Sequence, residues 1–164
     1  MSTAVPNKTC TAQDAARQDW QDRVVSTPSL HAVIQFHSRQ KYLLMAHRYA
    51  GYRELGRYLA DAHTRPLDEV MQHYIRRFIC HLDCPATRKT HTNVLTHIAG
   101  YLKKELDSSG RQSLAQAIEQ YRLGVLPLKV PLTLLRQQIA RHGSDYIRSQ
   151  TYLNPDLDAL PECN

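Results

Sequence analysis

The sequence predicts an all-α protein, a single compact domain of about six or seven helices. Three observations carry that reading. Apolar residues recur three and four positions apart through most of the chain, the interval that lines one face of a helix. No stretch alternates apolar and polar residues as a half-buried strand would. Pro and Gly fall between the periodic segments, where helices begin and end. The 164 residues suffice for a real core, and 42% hydrophobic with 22% charged residues is ordinary for a soluble protein. No apolar run approaches the ~18–20 residues of a membrane span. The N-terminus lacks the basic and apolar regions of a secretion signal. Four cysteines (Cys10, Cys80, Cys84, Cys163) are too few for a disulfide scaffold at this length, so a cytoplasmic location is expected.

Residues 1–26 are polar and hold no sustained period, which predicts a flexible arm with a short helix around residues 15–25. Thr27-Pro28 has the form of a helix start, a capping hydroxyl followed by proline. A helix is expected from there to about Tyr49, with Leu30, Val33, Ile34, Phe36, Leu43, Leu44 and Met45 on one wide arc. His37, Gln40, Lys41 and His47 project into the same arc. A buried charge at Lys41 needs a partner, a wet cleft, or a stem that packs while the head reaches water. Gly51 breaks the pattern, and a helix over about 52–62 follows, with Arg53 and Arg57 giving it a small basic face. The next spans about Leu67–Asp83, between Pro66 and Pro85. Its outer side shows His73, Arg76 and Arg77, a set suited equally to phosphate contact and to simple solvation. After the segment 91–106, helices are expected over about 111–123, 131–143 and 144–152. The core domain ends near residue 157 and a short tail, 158–164, follows.

The segment His91–Lys104 is the focus. Val94, Leu95, Ile98, Tyr101, Leu102 and Leu106 fill an apolar arc, and Asn93, His97, Gly100 and Lys104 form a polar lane beside it. Gly100 costs about 0.5–1 kcal/mol in a helix relative to Ala. It marks either a close approach by a ligand or a helix crossing.

Searched by type, the chemistry is sparse. No Gly-rich phosphate loop, H-E-x-x-H or G-x-S-x-G occurs. Cys80 and Cys84 have no second pair, so no metal and no cofactor are expected. The charge says more. Net charge is +6, and residues 36–104 carry twelve Lys and Arg against five Asp and Glu. A basic middle of this kind suits a polyanionic partner.

Five motifs, F-H-S-R-x-K-x-x-L-M-A-H (36–47), Y-x-x-L-G (52–56), H-T-N-V-L-x-H-x-x-G-Y (91–101), Y-R-x-G-x-x-P-L (121–128) and Q-x-Y-L-x-P (150–155), occur in order. Together they resemble the YbgA family over roughly residues 30–157. Gln40 departs from the tyrosine expected between Arg39 and Lys41, and Gln137-Gln138 stands in place of an aromatic or histidine. The resemblance implies a domain found alone or fused behind an iron–sulfur domain of the thiouracil-desulfidase type. It further implies an RNA-binding part, for transfer RNA (tRNA), accessory to thiouridine metabolism. The cysteines here match no cluster-binding set, so the sulfur chemistry would belong to a separate desulfidase-type enzyme.

On that reading the nucleic-acid-binding residues are His37, Arg39, Lys41, His47, Asn93, His97, Tyr101, Lys103, Lys104 and Arg122. Arg39, Lys41, Lys103, Lys104 and Arg122 would meet phosphates, while Tyr101, His97 and Asn93 would stack on or bond an exposed base. Two alternatives stand beside it. One is a small enzyme acting on a modified nucleotide, with His91 or His97 as acid–base and Lys41 as electrostatic stabiliser. The other is a protein–protein adaptor. No catalytic motif assigns an activity to the chain alone.

Overall fold

The computed structural model describes residues 11–154. Among them lie eight α-helices and no β-strand. The helices are α1 (Ala12–Trp20), α2 (Leu30–Arg39), α3 (Lys41–Ala60), α4 (Leu67–Leu82), α5 (Arg88–Tyr101), α6 (Ser108–Arg122), α7 (Lys129–His142) and α8 (Asp145–Arg148). A π-helical turn, Gln21–Val25, continues α1, and 3-10 turns occupy Ala62–Thr64 and Thr151–Leu153. None of the helices among the described residues is long and apolar enough to cross a membrane.

Local chemistry sets most of the boundaries. Thr11, Ser29, Thr87, Asp107 and Ser144 each accept a backbone N–H from the first turn that follows, satisfying one of the donors a helix start leaves open. The cap of α2 is therefore Ser29, and not the expected Thr27. Gly124 ends the turn after α6 with φ +79, a conformation that favours glycine.

The expected arm is built into the fold from Ala12 onward. Ala12, Ala16, Trp20 and Val24 are buried, four apart along one face. Trp20 stacks on Tyr74 with centroids 5.5 Å apart and meets Phe36 edge-on at 5.0 Å. One aromatic side chain thus fastens the N-terminal helix to α2 and α4. Residues 1–10 and the tail 158–164 lie outside the described residues.

The long first helix expected from the sequence is two helices. The chain turns at Gln40 (φ −89, ψ 2), and α3 then runs through Gly51 to Ala60 with its own kink at Arg48 (φ −154, ψ 99). Neither break has a Pro or Gly at it. Tertiary contacts hold both. Gln40, 1% exposed, donates to Asp19 Oδ2 at 3.0 Å and accepts from Thr151 Oγ1 at 2.6 Å. Beside the kink, His47 Nδ1–H donates to the Cys84 carbonyl at 2.7 Å.

In the packed structure α3 lies against α4 on one side and α5 on another, and α6 and α7 continue the stack from α5. Val94, Leu95, Ile98 and Leu102 are fully buried, as the expected apolar arc of α5 requires. Two members of expected arcs are not: Ile34 and Tyr101 are exposed. α5 itself is shorter than expected, running Arg88–Tyr101 before a series of turns.

Candidate functional site

The turn at Gln40 aims the end of α2 and the start of α3 into one cleft. His37 comes from the last turn of α2, Lys41 and Tyr42 open α3, and Tyr49 and Tyr52 follow the kink. Tyr101 reaches in from the end of α5 and Tyr146 from α8. Lys41 Nζ lies 5.1 Å from the Tyr42 ring centroid and 5.9 Å from that of Tyr52, within cation–π range of both. The His37 ring lies parallel to Tyr52 at 5.0 Å. Tyr49 is 6.3 Å from Tyr52, and Tyr101 is 5.9 Å from Tyr146. Among the described residues, no carboxylate pairs with Lys41.

Burial favours the neutral forms of His37, Tyr42, Tyr52 and Tyr146. Burial holds the His37 imidazole down at about 4, and its Nδ1 shares a hydrogen bond with the Tyr74 hydroxyl at 3.0 Å. Burial, with the Tyr101 hydroxyl next to it, raises the Tyr42 phenol far above its ordinary value. Burial and the nearby Tyr101 and Tyr52 phenols push Tyr146 up to about 12. Near neutral pH the cleft therefore offers one cationic head, a neutral imidazole and phenol hydroxyls, over flat apolar faces. Tyr49 and Tyr101 present theirs to solvent, 52% and 46% exposed. Such a surface can stack on a planar ligand and hold an anion beside it.

The other expected site residues divide. Asn93 and His97 are exposed on α5, two turns and one turn ahead of Tyr101 on the same side. Lys103 and Lys104 are exposed just beyond the helix. Arg39 is not free for phosphate: its Nη2 is held by Asp19 Oδ1 at 3.1 Å. Arg122 is gripped by Glu119 through two bonds of 2.7 and 2.6 Å. His47 is tied to the Cys84 carbonyl, and burial lowers its pKa. His91, 2% exposed, shares a 2.7 Å bond with the Tyr152 hydroxyl, and burial together with neighbouring His47 holds it at about 4. A sealed His91 reaches no substrate, which leaves His97 as the accessible imidazole of α5.

Gly100 has left the lane. It lines a separate groove of about 380 Å³ between α5 and α6, with Lys103, Leu114 and Ile118 among its neighbours. A Cβ built at Gly100 would meet nothing within 4 Å, so the glycine serves no helix crossing. Among the described residues, no three His, Cys, Asp or Glu side chains come together as a metal site.

Sequence reasoning passed over Tyr42, Tyr49, Tyr52 and Tyr146. The spacing of Tyr49 and Tyr52, three apart on a helix, was the available signal. Tyr146 carries none, because only the return of the chain through α8 brings it to α5.

The family described as Protein of unknown function (DUF1722) matches residues 41–156. "Uncharacterized protein YbgA" of Escherichia coli (strain K12) is 38% identical over 122 residues, which is 74% of this chain and 72% of that protein. No solved structure matches. The family match opens at Lys41, so the cleft residues of α3, α5 and α8 fall inside it while Asp19 and His37 precede it. On both matches, the chain belongs to the YbgA family, the DUF1722 domain.

Proposed function

We propose that the chain is a single compact RNA-binding domain, for transfer RNA, accessory to the metabolism of modified nucleosides of the thiouridine kind. The observation that carries the reading is the cleft itself. Lys41, without a carboxylate partner among the described residues, sits over the faces of Tyr42 and Tyr52, and the exposed rings of Tyr49 and Tyr101 lie beside Tyr52 and Tyr146. An unstacked base needs a flat aromatic face, and its phosphate needs a nearby cation. Asn93 and His97, exposed on the same side of α5, supply hydrogen-bonding groups for a base edge. The nucleoside identity rests on the family resemblance, and any sulfur chemistry falls to a separate desulfidase-type enzyme.

The test is filter binding to purified tRNA, with and without thiolated uridine. Tyr101→Ala removes one stacking face, worth ~1–3 kcal/mol per base, and should weaken binding by at least about fivefold. Lys41→Gln should reduce the salt dependence as well as the affinity. Wild-type protein that ignores tRNA, or variants that bind as wild type does, would refute the proposal. Turnover of a modified nucleotide abolished by His97→Ala with binding intact would instead make the cleft catalytic. A protein partner retained after nuclease treatment would favour an adaptor.

A further inference from the structure

A second constellation lies outside the cleft, along one edge of the α3–α4 pair. The two helices face each other there through Tyr58 and His73 and through Glu54 and Arg77, and Arg48 meets Cys84 just beyond the end of α4. The Tyr58 and His73 rings stack at 4.2 Å with 24° between their planes. The Arg65 guanidinium lies 4.8 Å over the same Tyr58 ring. Glu54 pairs with Arg77 Nη2 at 2.7 Å, and His81 Nε2 lies 3.3 Å from its other oxygen.

Arg65 Nη1 also donates to the Asp61 carbonyl at 3.1 Å. Burial and the fields of Arg76, Arg77 and Arg65 hold the His73 pKa down, against Glu54 alone. Arg57, Arg65 and Arg76 are exposed, and none pairs with a carboxylate among the described residues. Arg53 and Arg57 stand four apart on α3, a like-charge spacing that opposes helix formation. Arg65 over the Tyr58 ring and Arg76 close enough to act on His73, with Arg57 next to Tyr58 in the chain, are features that suit a surface tracking a nucleic-acid backbone.

We propose that this edge is a second RNA contact, in which Arg57, Arg65 and Arg76 hold phosphates beside the stacked Tyr58–His73 pair. The identity of the polyanion rests on the reading of the cleft given above. The division of labour is new: the cleft takes a base, and the α3–α4 edge takes the backbone.

The experiment uses the full chain with Arg57, Arg65 and Arg76 all replaced by Gln, in tRNA filter binding between ~50 and ~200 mM salt. Three lost contacts at ~0.7 each on a single strand should make the slope of log K against log salt shallower by about 2. Affinity at ~100 mM salt should fall at least about tenfold. The matching Lys triple, which keeps the charge, should restore most of the slope and excludes misfolding as the cause. An unchanged slope in the Gln triple overturns the proposal while leaving the cleft reading intact. Wild-type protein that binds no RNA overturns the edge proposal and the cleft reading together. Sedimentation with phosphatidylserine vesicles in place of RNA, lost in the same triple, would assign the edge to a membrane surface and overturn it too.

Discussion

Gly51→Ala tests the packing that fixes α3 on α4. A Cβ at position 51 would stand 2.5 Å from His81 Cγ, 2.6 Å from Cδ2 and 2.8 Å from Nδ1. His81 cannot swing aside cheaply. It is 1% exposed, the clash falls on the root of its ring, and the Glu54 carboxylate stands 3.3 Å from its far nitrogen. Overpacking of this kind costs about 1–3 kcal/mol. The gain from replacing a helical glycine is ~0.5–1 kcal/mol, so the variant should lose about 1–2 kcal/mol in net stability. For 164 residues that is a fall in melting temperature of about 2–8 °C. Gly100→Ala is the built-in contrast. Nothing lies within 4 Å of its new Cβ, so it should stabilise by ~0.5–1 kcal/mol. Urea unfolding followed by far-UV circular dichroism measures both, and the double variant Gly51→Ala/His81→Ala locates the cause. With the ring gone, alanine at 51 should recover most of its penalty, as a coupling of about 1–2 kcal/mol in the double-mutant cycle. A Gly51→Ala protein as stable as wild type, or one whose loss persists without His81, would refute the argument.

Two further predictions follow from the core. His37 and His91 sit at about 4 in the fold against 6.5 in an open chain, because burial disfavours their charged forms. Between those values the unfolded chain takes up protons and the folded one does not, so stability is full above pH 6.5 and falls as pH drops toward 4. The loss approaches about 3 kcal/mol per histidine, and urea midpoints between pH 7 and pH 4 should show it, with a flatter profile in His91→Asn. Trp20→Ala should cost about 3–5 kcal/mol, since it empties the space between Phe36 and Tyr74. A cost near zero in denaturant titration would return residues 12–25 to the status of a loose arm.

How far the sequence reached depended on how local the deciding contact was. Periodicity placed α4 from Leu67, where it starts, and put its end within a residue of Leu82. It likewise found α6 to within three residues at its N-terminus and one at its C-terminus. These helices are bounded by caps and turns that neighbouring residues supply. The N-terminal helix was legible only as a short helix in an arm, because its polar residues outnumber its three buried ones, and only Trp20 lodged among distant rings shows which face matters. The break at Gln40 was invisible for the same reason. Its amide bonds residues 21 positions before it and 111 after it, and no helical wheel contains either.

The cleft divides along that line. Sequence alone determined the all-α class, the family, the buried stripe of α5 and the intrusion of His37 and Lys41 into an apolar arc. Those depend on side-chain spacing and residue type within one segment. Tertiary structure decided which cations are available. Asp19 claims Arg39 from 20 residues away, Tyr152 shares a hydrogen bond with His91 from 61 residues away, and Lys41 meets two tyrosine rings and no carboxylate among the described residues. A charge is free or spent according to its nearest partner in space, and that partner is set by how the helices pack.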